Sequence, residues 1–345
     1  MLDTLKTLCY LSGPSGWEDE VRDYILERVM PHADKIFTDS MGNLIVTKKG
    51  AISGGRRILL CAHMDEVGLI VTAIDGEGFL RFDCLGGIDR RVLIGKRVYI
   101  GKDRVHGVIG IKPYHHVGKD EEKNVPKREA LYIDIGVKSG DAARELVSPG
   151  DPAVFDDSVL EFGEGFLKAK AIDDRIGCAA MIKLIESALP CDCVFAFTVQ
   201  EEIGARGAKT VSARVRPDTA IILEGTTAAD LPGVPEGKRV CALGEGLVIP
   251  FMDKGAIYSR GLYKTLTALA DAHGIKWQTK TLIAGGTDAQ AVQRSGTGVD
   301  TIAISAPIRN IHSPASIAKI SDFTDMPRLA LLLLETLSDE KEVSV

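Results

Sequence analysis

The first 62 residues carry helix-like and then strand-like patterns of hydrophobic positions. A helix is predicted at 17–30, where Ser15 and Glu18 stand ahead of the apolar periodicity at the spacing of a capping box. Strand patterns follow at 43–47 and 57–62. The second of these is continuously apolar, which is typical of a strand buried in a parallel or mixed sheet.

The pattern changes between about residues 67 and 162. Short β-rich runs separated by glycine-containing turns occur there, namely GLIVTAI, GFLRFDCL, RVLIGKRVYIG, VHGVIGI, LYIDIGV and DPAVF. These runs are too short and too closely spaced for βαβ units. They predict a small all-β barrel or sandwich that is inserted into another domain.

Strands and helices alternate again in the second half of the chain. Helices are predicted at 174–188, 259–273, 288–294 and 325–337, and strands at 193–199, 219–223 and 301–305. This alternation predicts an α/β fold in which a mixed sheet is flanked by helices. The core domain would then be divided, with residues 1–66 joining 163–345 around an inserted domain at 67–162.

Composition makes several classes of partner improbable. The 345 residues carry 42 basic and 48 acidic side chains, and no run of like charge is long enough for a nucleic-acid surface. No segment reaches the roughly 20 apolar residues of a membrane span, and the N-terminus does not resemble a signal peptide. Seven cysteines, most of them within apolar runs, favour buried free thiols and hence a cytoplasmic protein.

Candidate metal ligands follow the ends of predicted strands. His63 follows one strand, Glu201 and Glu202 a second, Glu224 a third, and His312 lies shortly after a fourth. Because the carboxyl ends of parallel strands share one edge of a sheet, these side chains are expected to converge. A single histidine or glutamate there is usually an ordinary loop residue. The repulsion between two adjacent carboxylates after an apolar strand favours a metal ion nearby.

Two acidic motifs refine this hypothesis. The Asp65 carboxylate is expected to accept the second ring N–H of His63 and so to fix its tautomer. Asp173 and Asp174 precede a predicted helix, where Asp173 is a candidate bridge between two metals, although a plain helix cap is an equally good interpretation. The chain lacks the HExxH, GxSxG and phosphate-binding-loop motifs of other enzymes, which leaves hydrolysis by a metal-bound water.

Six motifs, CAHMDEVG, AIDDRIG, VQEEIGARGA, LEGTTAAD, GGTDA and NIHSP, follow the opening segment SGPSGWE in this order. Together they resemble the tetrahedral and glutamyl aminopeptidase family of dinuclear metallopeptidases, some members of which are described as cellulases. The resemblance implies one metal ion on His63, Glu224 and Asp173. It implies a second ion on Asp173, Glu202 and His312. Many relatives have Asp at the position of Glu224.

The resemblance also implies that Glu201 is the general base for cleavage of the N-terminal bond of peptides, with two zinc or cobalt ions, or manganese, as cofactors. The insert resembles a dimerisation domain, so a dimer and a twelve-subunit tetrahedral assembly are expected. The turn at Gly286, Thr287 and Asp288 is expected to line the substrate cleft, unless Asp288 only caps a helix. Arg260 is a further candidate for the lining, although an exposed arginine is the commoner case.

Other functions remain open at this point. N-acyl-amino-acid deacylases and carboxypeptidases share the core, but their extra domain follows the third ligand, whereas this insert lies between His63 and Asp173. Endoglucanase activity has been attached to some relatives, yet glycosidases use paired carboxylates rather than histidine-rich metal ligation. A catalytically inactive assembly protein of the same fold would lack the general base or the bridging metal ligand, and this sequence retains both candidates. The preferred substrate residue and the role of His115 and His116 in the insert stay undetermined.

Overall fold

The computed structural model describes residues 1–119, 123–156 and 158–339. Its helices are α1 (Leu2–Tyr10), α2 (Asp19–Val29), α3 (Gly140–Arg144), α4 (Ile172–Ile185), α5 (Arg206–Val215), α6 (Arg260–Ala272), α7 (Ala289–Val292) and α8 (Met326–Asp339). Its strands in the first half are β1 (Lys35–Thr38), β2 (Leu44–Lys48), β3 (Ile58–His63), β4 (Gly68–Ile74), β5 (Leu80–Leu85), β6 (Arg97–Ile100), β7 (Val105–Ile111), β8 (Leu131–Asp134) and β9 (Pro152–Phe155). The later strands are β10 (Leu160–Phe162), β11 (Phe166–Ala169), β12 (Cys193–Thr198), β13 (Thr219–Thr227), β14 (Leu247–Val248), β15 (Trp277–Gln278), β16 (Asp300–Arg309) and β17 (Ser316–Lys319).

One large sheet has a parallel centre. Over the described residues its strand order is β1-β2-β12-β3-β13-β16-β17-β11-β10, and β14 joins β15 to β16. Strands β12, β3, β13 and β16 run parallel to one another. The outer pairs are antiparallel, which makes the sheet mixed, as predicted.

Helices cover the large sheet in two groups. Helix α4 packs against β3 and β13 and contacts α1, α2 and α8, whereas α5 and α7 contact each other together with β12 and β16. A Cβ at Gly177 would lie 2.4 Å from the carbonyl oxygen of Leu223. Glycine at that position therefore allows α4 to lie close against β13.

The inserted segment forms a closed barrel with the order β4-β5-β8-β7-β6-β9. Each of its strands falls within one of the β-rich runs, and its core is separate from that of the large sheet. Strand β10, which lies inside the predicted insert, pairs with β11 in the large sheet. The limits of the insert at residues 67 and 162 stay a prediction.

Two local features differ from the sequence-based assignment. Helix α5 has no counterpart there, because its buried face consists of the small or polar residues Gly207, Ala208 and Ser212 together with Val211. The predicted capping box is wrong, since α2 has no side-chain cap. Glu18 and Ser15 form other hydrogen bonds, described below.

The sequence predicts no membrane-spanning segment and free cysteine thiols. Within the described residues, none of the helices is long and apolar enough to cross a bilayer. All seven cysteines are free thiols, and every one except Cys84 is buried. The predicted free thiols are therefore present.

Candidate metal centre

The candidate ligands meet at the carboxyl edge of the parallel strands. His63 is the last residue of β3, and Glu224 lies in the second half of β13. Glu202 and His312 follow β12 and β16, and Asp173 lies at the start of α4. Because these strands are neighbours and run parallel, the sheet brings together residues that are far apart in the chain.

Asp173 lies between the two histidines and directs one oxygen at each. Its Oδ1 is 3.5 Å from Nε2 of His63, and its Oδ2 is 3.5 Å from Nε2 of His312. Glu224 Oε1 is 3.4 Å from the same nitrogen of His63, and Glu202 Oε2 is 3.2 Å from the same nitrogen of His312. The side chains thus form two groups of three that share Asp173.

The residues of this cluster fit metal ions. Asp173 Oδ1 is buried and has no hydrogen-bond partner among the described residues, and its 3.5 Å separation from His63 is too long for a normal hydrogen bond. An unsatisfied buried acceptor costs about 1–3 kcal/mol, and more if it is charged. Ligand atoms of His63, Asp173 and Glu202 lie within 4.8 Å of one another. Imidazole nitrogen and carboxylate oxygen are zinc ligands, so a cation would satisfy the orphaned oxygen.

Asp174 is a competing candidate ligand, but both of its carboxylate oxygens already accept hydrogen bonds. A carboxylate oxygen of Asp174 also lies within 4.8 Å of ligand atoms of His63 and Glu224. However, its Oδ1 accepts the Gly177 amide at 2.9 Å, and its Oδ2 accepts the His63 amide at 3.1 Å. Asp174 therefore caps the regular part of α4 and ties it to β3. The helix-cap interpretation of the acidic pair thus holds for Asp174, and the bridging role of Asp173 stays a prediction.

Burial and mutual repulsion change the pKa values of the acidic groups in the cluster. Burial raises the pKa of Glu202 to about 8 and outweighs the lowering by His312, and the negative charge of Asp173 adds a smaller rise. Burial also raises the pKa of Glu201 and of Glu224 well above the usual range of a glutamate. Burial lowers the pKa of His312, but the nearby carboxylates of Asp173 and Glu202 outweigh it and raise that pKa to about 9. Bound cations would neutralise this excess of negative charge.

Glu201 lines the cavity of the cluster but lies outside both groups of three. The cavity has a volume of about 130 Å³ and is also lined by Lys280, Gly286 and Thr287. Arg260 is exposed and is not among the lining residues. The described lining therefore combines four carboxylates, those of Asp173, Glu201, Glu202 and Glu224, with one lysine, Lys280.

Asp288 lies behind the cavity rather than in its lining. Its Oδ2 accepts the hydroxyl of Thr198, and its Oδ1 is buried without a hydrogen-bond partner in the described chain. The alternative role as a helix cap is not fulfilled, because the Ala289 amide bonds to the Thr287 hydroxyl instead.

Asp65 was predicted to accept the second ring N–H of His63, and it forms further hydrogen bonds as well. Nδ1 of His63 lies 3.0 Å from the backbone carbonyl oxygen of Asp65 and 3.4 Å from its Oδ1, so the carbonyl is the nearer acceptor. The carboxylate accepts the backbone amides of Glu201 at 2.9 Å and Glu202 at 3.1 Å. Asp65 therefore links the end of β3 to the turn that carries both glutamates.

The barrel orients His312. Nδ1 of His312 donates to the carbonyl oxygen of Gly87 at 2.9 Å, which leaves Nε2 facing Asp173 and Glu202. No sequence signal marks this contact, because a backbone carbonyl 225 residues away supplies it. Nothing in the sequence indicated that Lys280 lines the cavity, or that Ser15 and Glu18 bond to Asp65 and to the Gln200 amide. His115 and His116 are exposed in a short turn of the insert.

Replacing Gly86 by alanine should disturb the contact between barrel and metal centre. Gly86 has φ of 87°, and a Cβ there would lie 2.9 Å from Cγ1 of Val67 and 3.2 Å from Cβ of Glu202. The control Gly95→Ala has a similar φ of 74° but no atom within 4 Å of the added carbon. We expect a loss of about 1–2 kcal/mol in the free energy of unfolding from backbone strain in both.

The close approach should cost Gly86→Ala a further ~1–3 kcal/mol and should weaken zinc binding. Urea unfolding and calorimetric zinc titration of the two variants measure these effects. Equal losses of unfolding free energy and of zinc affinity in the two variants would show that the close approach of Gly86 to Glu202 affects neither stability nor metal binding.

Comparison with known proteins relates this geometry to a family. The family model described as M42 glutamyl aminopeptidase matches residues 42–329. The glutamyl aminopeptidase of Lactococcus lactis subsp. cremoris is 30% identical over 355 residues, which covers 100% of this chain and 99% of that protein.

Solved structures match the fold over nearly the whole chain. The TET1 peptidase of Pyrococcus horikoshii, described as assembling into a tetrahedron or a large octahedral shell, is 36% identical with a TM-score of 0.85, covering 96% of this chain and 98% of that one. A protein of Thermotoga maritima described as an endoglucanase is 35% identical with a TM-score of 0.80, covering 97% of each chain. The predicted fold class, a mixed sheet with helices and an inserted barrel, is confirmed.

Proposed function

The chain belongs to the M42 glutamyl aminopeptidase family and is a metal-dependent aminopeptidase, and from this premise we propose that two divalent ions bind on either side of Asp173. The observation that carries the proposal is the position of Asp173, whose two oxygens face two separate pairs of histidine and glutamate. Zinc, cobalt and manganese all suit this ligand set, with zinc or cobalt favoured.

Each ion would have three protein ligands. His63 and Glu224 would hold one ion with Asp173, and Glu202 and His312 would hold the other with the same Asp173. When bound, two such ions acidify a shared water and stabilise the negative charge that develops on the scissile carbonyl oxygen. The Glu224 side chain is long enough to bring its Oε1 to 3.4 Å from Nε2 of His63.

Glu201 is proposed as the general base. Its carboxylate lines the cavity outside both groups of ligands. It takes the proton of the attacking water and delivers it to the leaving amine. Asp65 fixes the base through the Glu201 backbone amide, and Asp65 also connects the base to His63. The carboxylates that line the cavity favour a substrate with a free, positively charged α-amine.

The experiment that tests this function compares free with blocked N-termini. The zinc- or cobalt-loaded protein is given Leu- and Glu-p-nitroanilide and short peptides, each with and without N-terminal acetylation. We expect cleavage of the free N-termini alone, and its loss on chelation. Release of acyl groups would indicate a deacylase, and release of C-terminal residues a carboxypeptidase.

Endoglucanase is the second candidate, since one similar structure is so described. Glycosidases place two carboxyl groups about 5–9.5 Å apart across a sugar-binding groove. Here the carboxylates of Asp173, Glu202 and Glu224 instead lie 3.2 to 3.5 Å from histidine nitrogens, an arrangement suited to metals. A soluble β-glucan in the same panel should therefore remain uncut.

Lys280 supports a preference for an acidic N-terminal residue. The residue is 2% exposed and lines the cavity. Its Nζ donates to the carbonyl oxygen of Ala284 at 3.3 Å. The carboxylates of Asp253, Glu224 and Asp173 attract it, but among the described residues none of them forms a direct ion pair with it. Burying an ammonium group without a directly paired carboxylate is costly, so a substrate carboxylate is a favourable partner.

Lys280→Met should therefore lower kcat/KM for Glu-p-nitroanilide about 10- to 100-fold, the equivalent of one charge-assisted hydrogen bond. Gln- and Leu-p-nitroanilide should change less than about threefold. Lys276→Met, at an exposed lysine paired with Glu245, is the matched control. A loss confined to dipeptides with a free C-terminus, and absent from their amides, would instead assign Lys280 to the terminal carboxylate.

We also propose that the chain associates with itself through the inserted barrel, as a dimer and in a twelve-subunit tetrahedral assembly. The assembly described for the similar TET1 peptidase of Pyrococcus horikoshii supports this. A cytoplasmic location is proposed as well, supported by seven free cysteines.

A further inference from the structure

The turn that follows β12 is held by carboxylates from elsewhere in the chain. The Gln200 amide donates to Oε1 of Glu18 at 3.1 Å. The next two amides, those of Glu201 and Glu202, donate to Oδ1 and Oδ2 of Asp65 at 2.9 and 3.1 Å. Three successive amides therefore converge on two buried carboxylates, and the shape of the turn is imposed from outside.

The turn needs such support because its backbone is strained. Gln200 has φ of 57°, in the left-handed region. This conformation costs a residue other than glycine about 1–2 kcal/mol and persists where the surroundings compensate for it. The same turn carries Glu201 and Glu202. A relaxation of Gln200 would therefore move both carboxylates.

The two carboxylates that hold the turn, those of Glu18 and Asp65, both depend on residues 13–18, which we call the N-terminal strap. The Ser15 hydroxyl donates to Oδ2 of Asp65 at 2.6 Å, and Glu18 itself lies at the end of the strap. Glu66, next to Asp65, donates its amide to the Gly13 carbonyl at 2.9 Å and accepts the Gly13 amide at 3.2 Å. Ser15 is 1% and Glu18 4% exposed, so these bonds are shielded from water.

We propose that Ser15 and Glu18 are positioning residues for the aminopeptidase reaction, and that the N-terminal strap holds the catalytic turn in its active shape. Glu18 acts on the Gln200 amide directly, and Ser15 acts through Asp65. Neither residue lines the described cavity. The inference rests on the proposed roles of Glu201 as base and Glu202 as ligand.

Two substitutions of Glu18 separate a positioning role from a need for its charge. Glu18→Gln keeps a carbonyl oxygen that accepts the Gln200 amide, and we expect kcat within about threefold of the wild type. Glu18→Leu removes the acceptor at similar volume, and we expect kcat to fall about 10- to 100-fold with KM nearly unchanged, as for a misplaced catalytic group. Ser15→Ala should lower kcat in the same way by a smaller factor.

Val29→Ala is the control for general destabilisation. It removes buried methyl groups from the last residue of α2, at the end of the helix away from the strap, and should lower Tm without lowering kcat. Hydrogen–deuterium exchange of the amides at 200–202 should be faster in Glu18→Leu and unchanged in Val29→Ala.

Wild-type kcat in both Glu18→Leu and Ser15→Ala would overturn the proposal. An equal loss of kcat in Val29→Ala would also overturn it. If Glu18→Leu does not fold, Ser15→Ala, which deletes one oxygen atom, decides the question. If the wild type cleaves no peptide, the proposed function fails. Exchange at 200–202 in Ser15→Ala then still shows whether the strap holds the turn.

Discussion

Glu201→Gln should lower kcat by about 10²- to 10⁴-fold while two metal ions remain bound to each chain. The amide has nearly the shape of the carboxylate but cannot take a proton from the attacking water. Its backbone amide would still bond to Asp65, so the turn should keep its position. Steady-state kinetics with a p-nitroanilide, together with elemental analysis of the same preparation, measure both quantities.

Glu202→Gln is the matched control for the Glu201 prediction, because it changes the adjacent carboxylate in the same turn. It should reduce metal content, since Glu202 faces His312 at 3.2 Å. If Glu201→Gln kept more than a tenth of the wild-type kcat, Glu201 would not be the base. If it lost an ion, Glu201 would be a ligand.

Asp173→Asn should release both metal ions together and abolish measurable turnover. One carboxylate serves both groups, with Oδ1 towards His63 and Oδ2 towards His312. An amide has one oxygen and no charge, so neither ion keeps its shared anionic ligand. Since even outer-shell changes cost about 10- to 100-fold in metal affinity, we expect at least ~100-fold at both positions. Calorimetric titration of the metal-free protein with zinc measures this.

Variants that change a ligand of only one of the two ions are the controls for Asp173→Asn. Glu224→Gln should weaken the ion beside His63, and Glu202→Gln the ion beside His312, each leaving one ion tightly bound. Loss of a single ion in Asp173→Asn would show that Asp173 is not a bridge.

The elements that depend mainly on the local pattern of apolar residues were predicted well. The β-rich runs of the insert became the barrel strands β4 to β9, because short alternating segments with glycine turns have few other ways to bury their apolar faces. The continuous apolar strand before His63 lies at the centre of the large sheet, buried on both faces. Its position there is what brings His63 close to Glu224.

The contacts that sequence reasoning missed are long-range. Ser15 and Glu18 have the local spacing of a capping box, and only the folded chain shows that their partners are Asp65 and Gln200. The Gly87 carbonyl that orients His312 has no side chain to mark it. Lys280 resembles any surface lysine in the sequence, yet the fold buries it at the cavity.

Anomalous diffraction from crystals of the zinc-loaded protein would show directly whether Asp173 joins two metal sites. We expect two peaks, one contacting Oδ1 of Asp173 with His63 and Glu224, and one contacting Oδ2 with Glu202 and His312. A single peak, or a peak bound by Asp174 in place of Asp173, would contradict the proposal that Asp173 joins them.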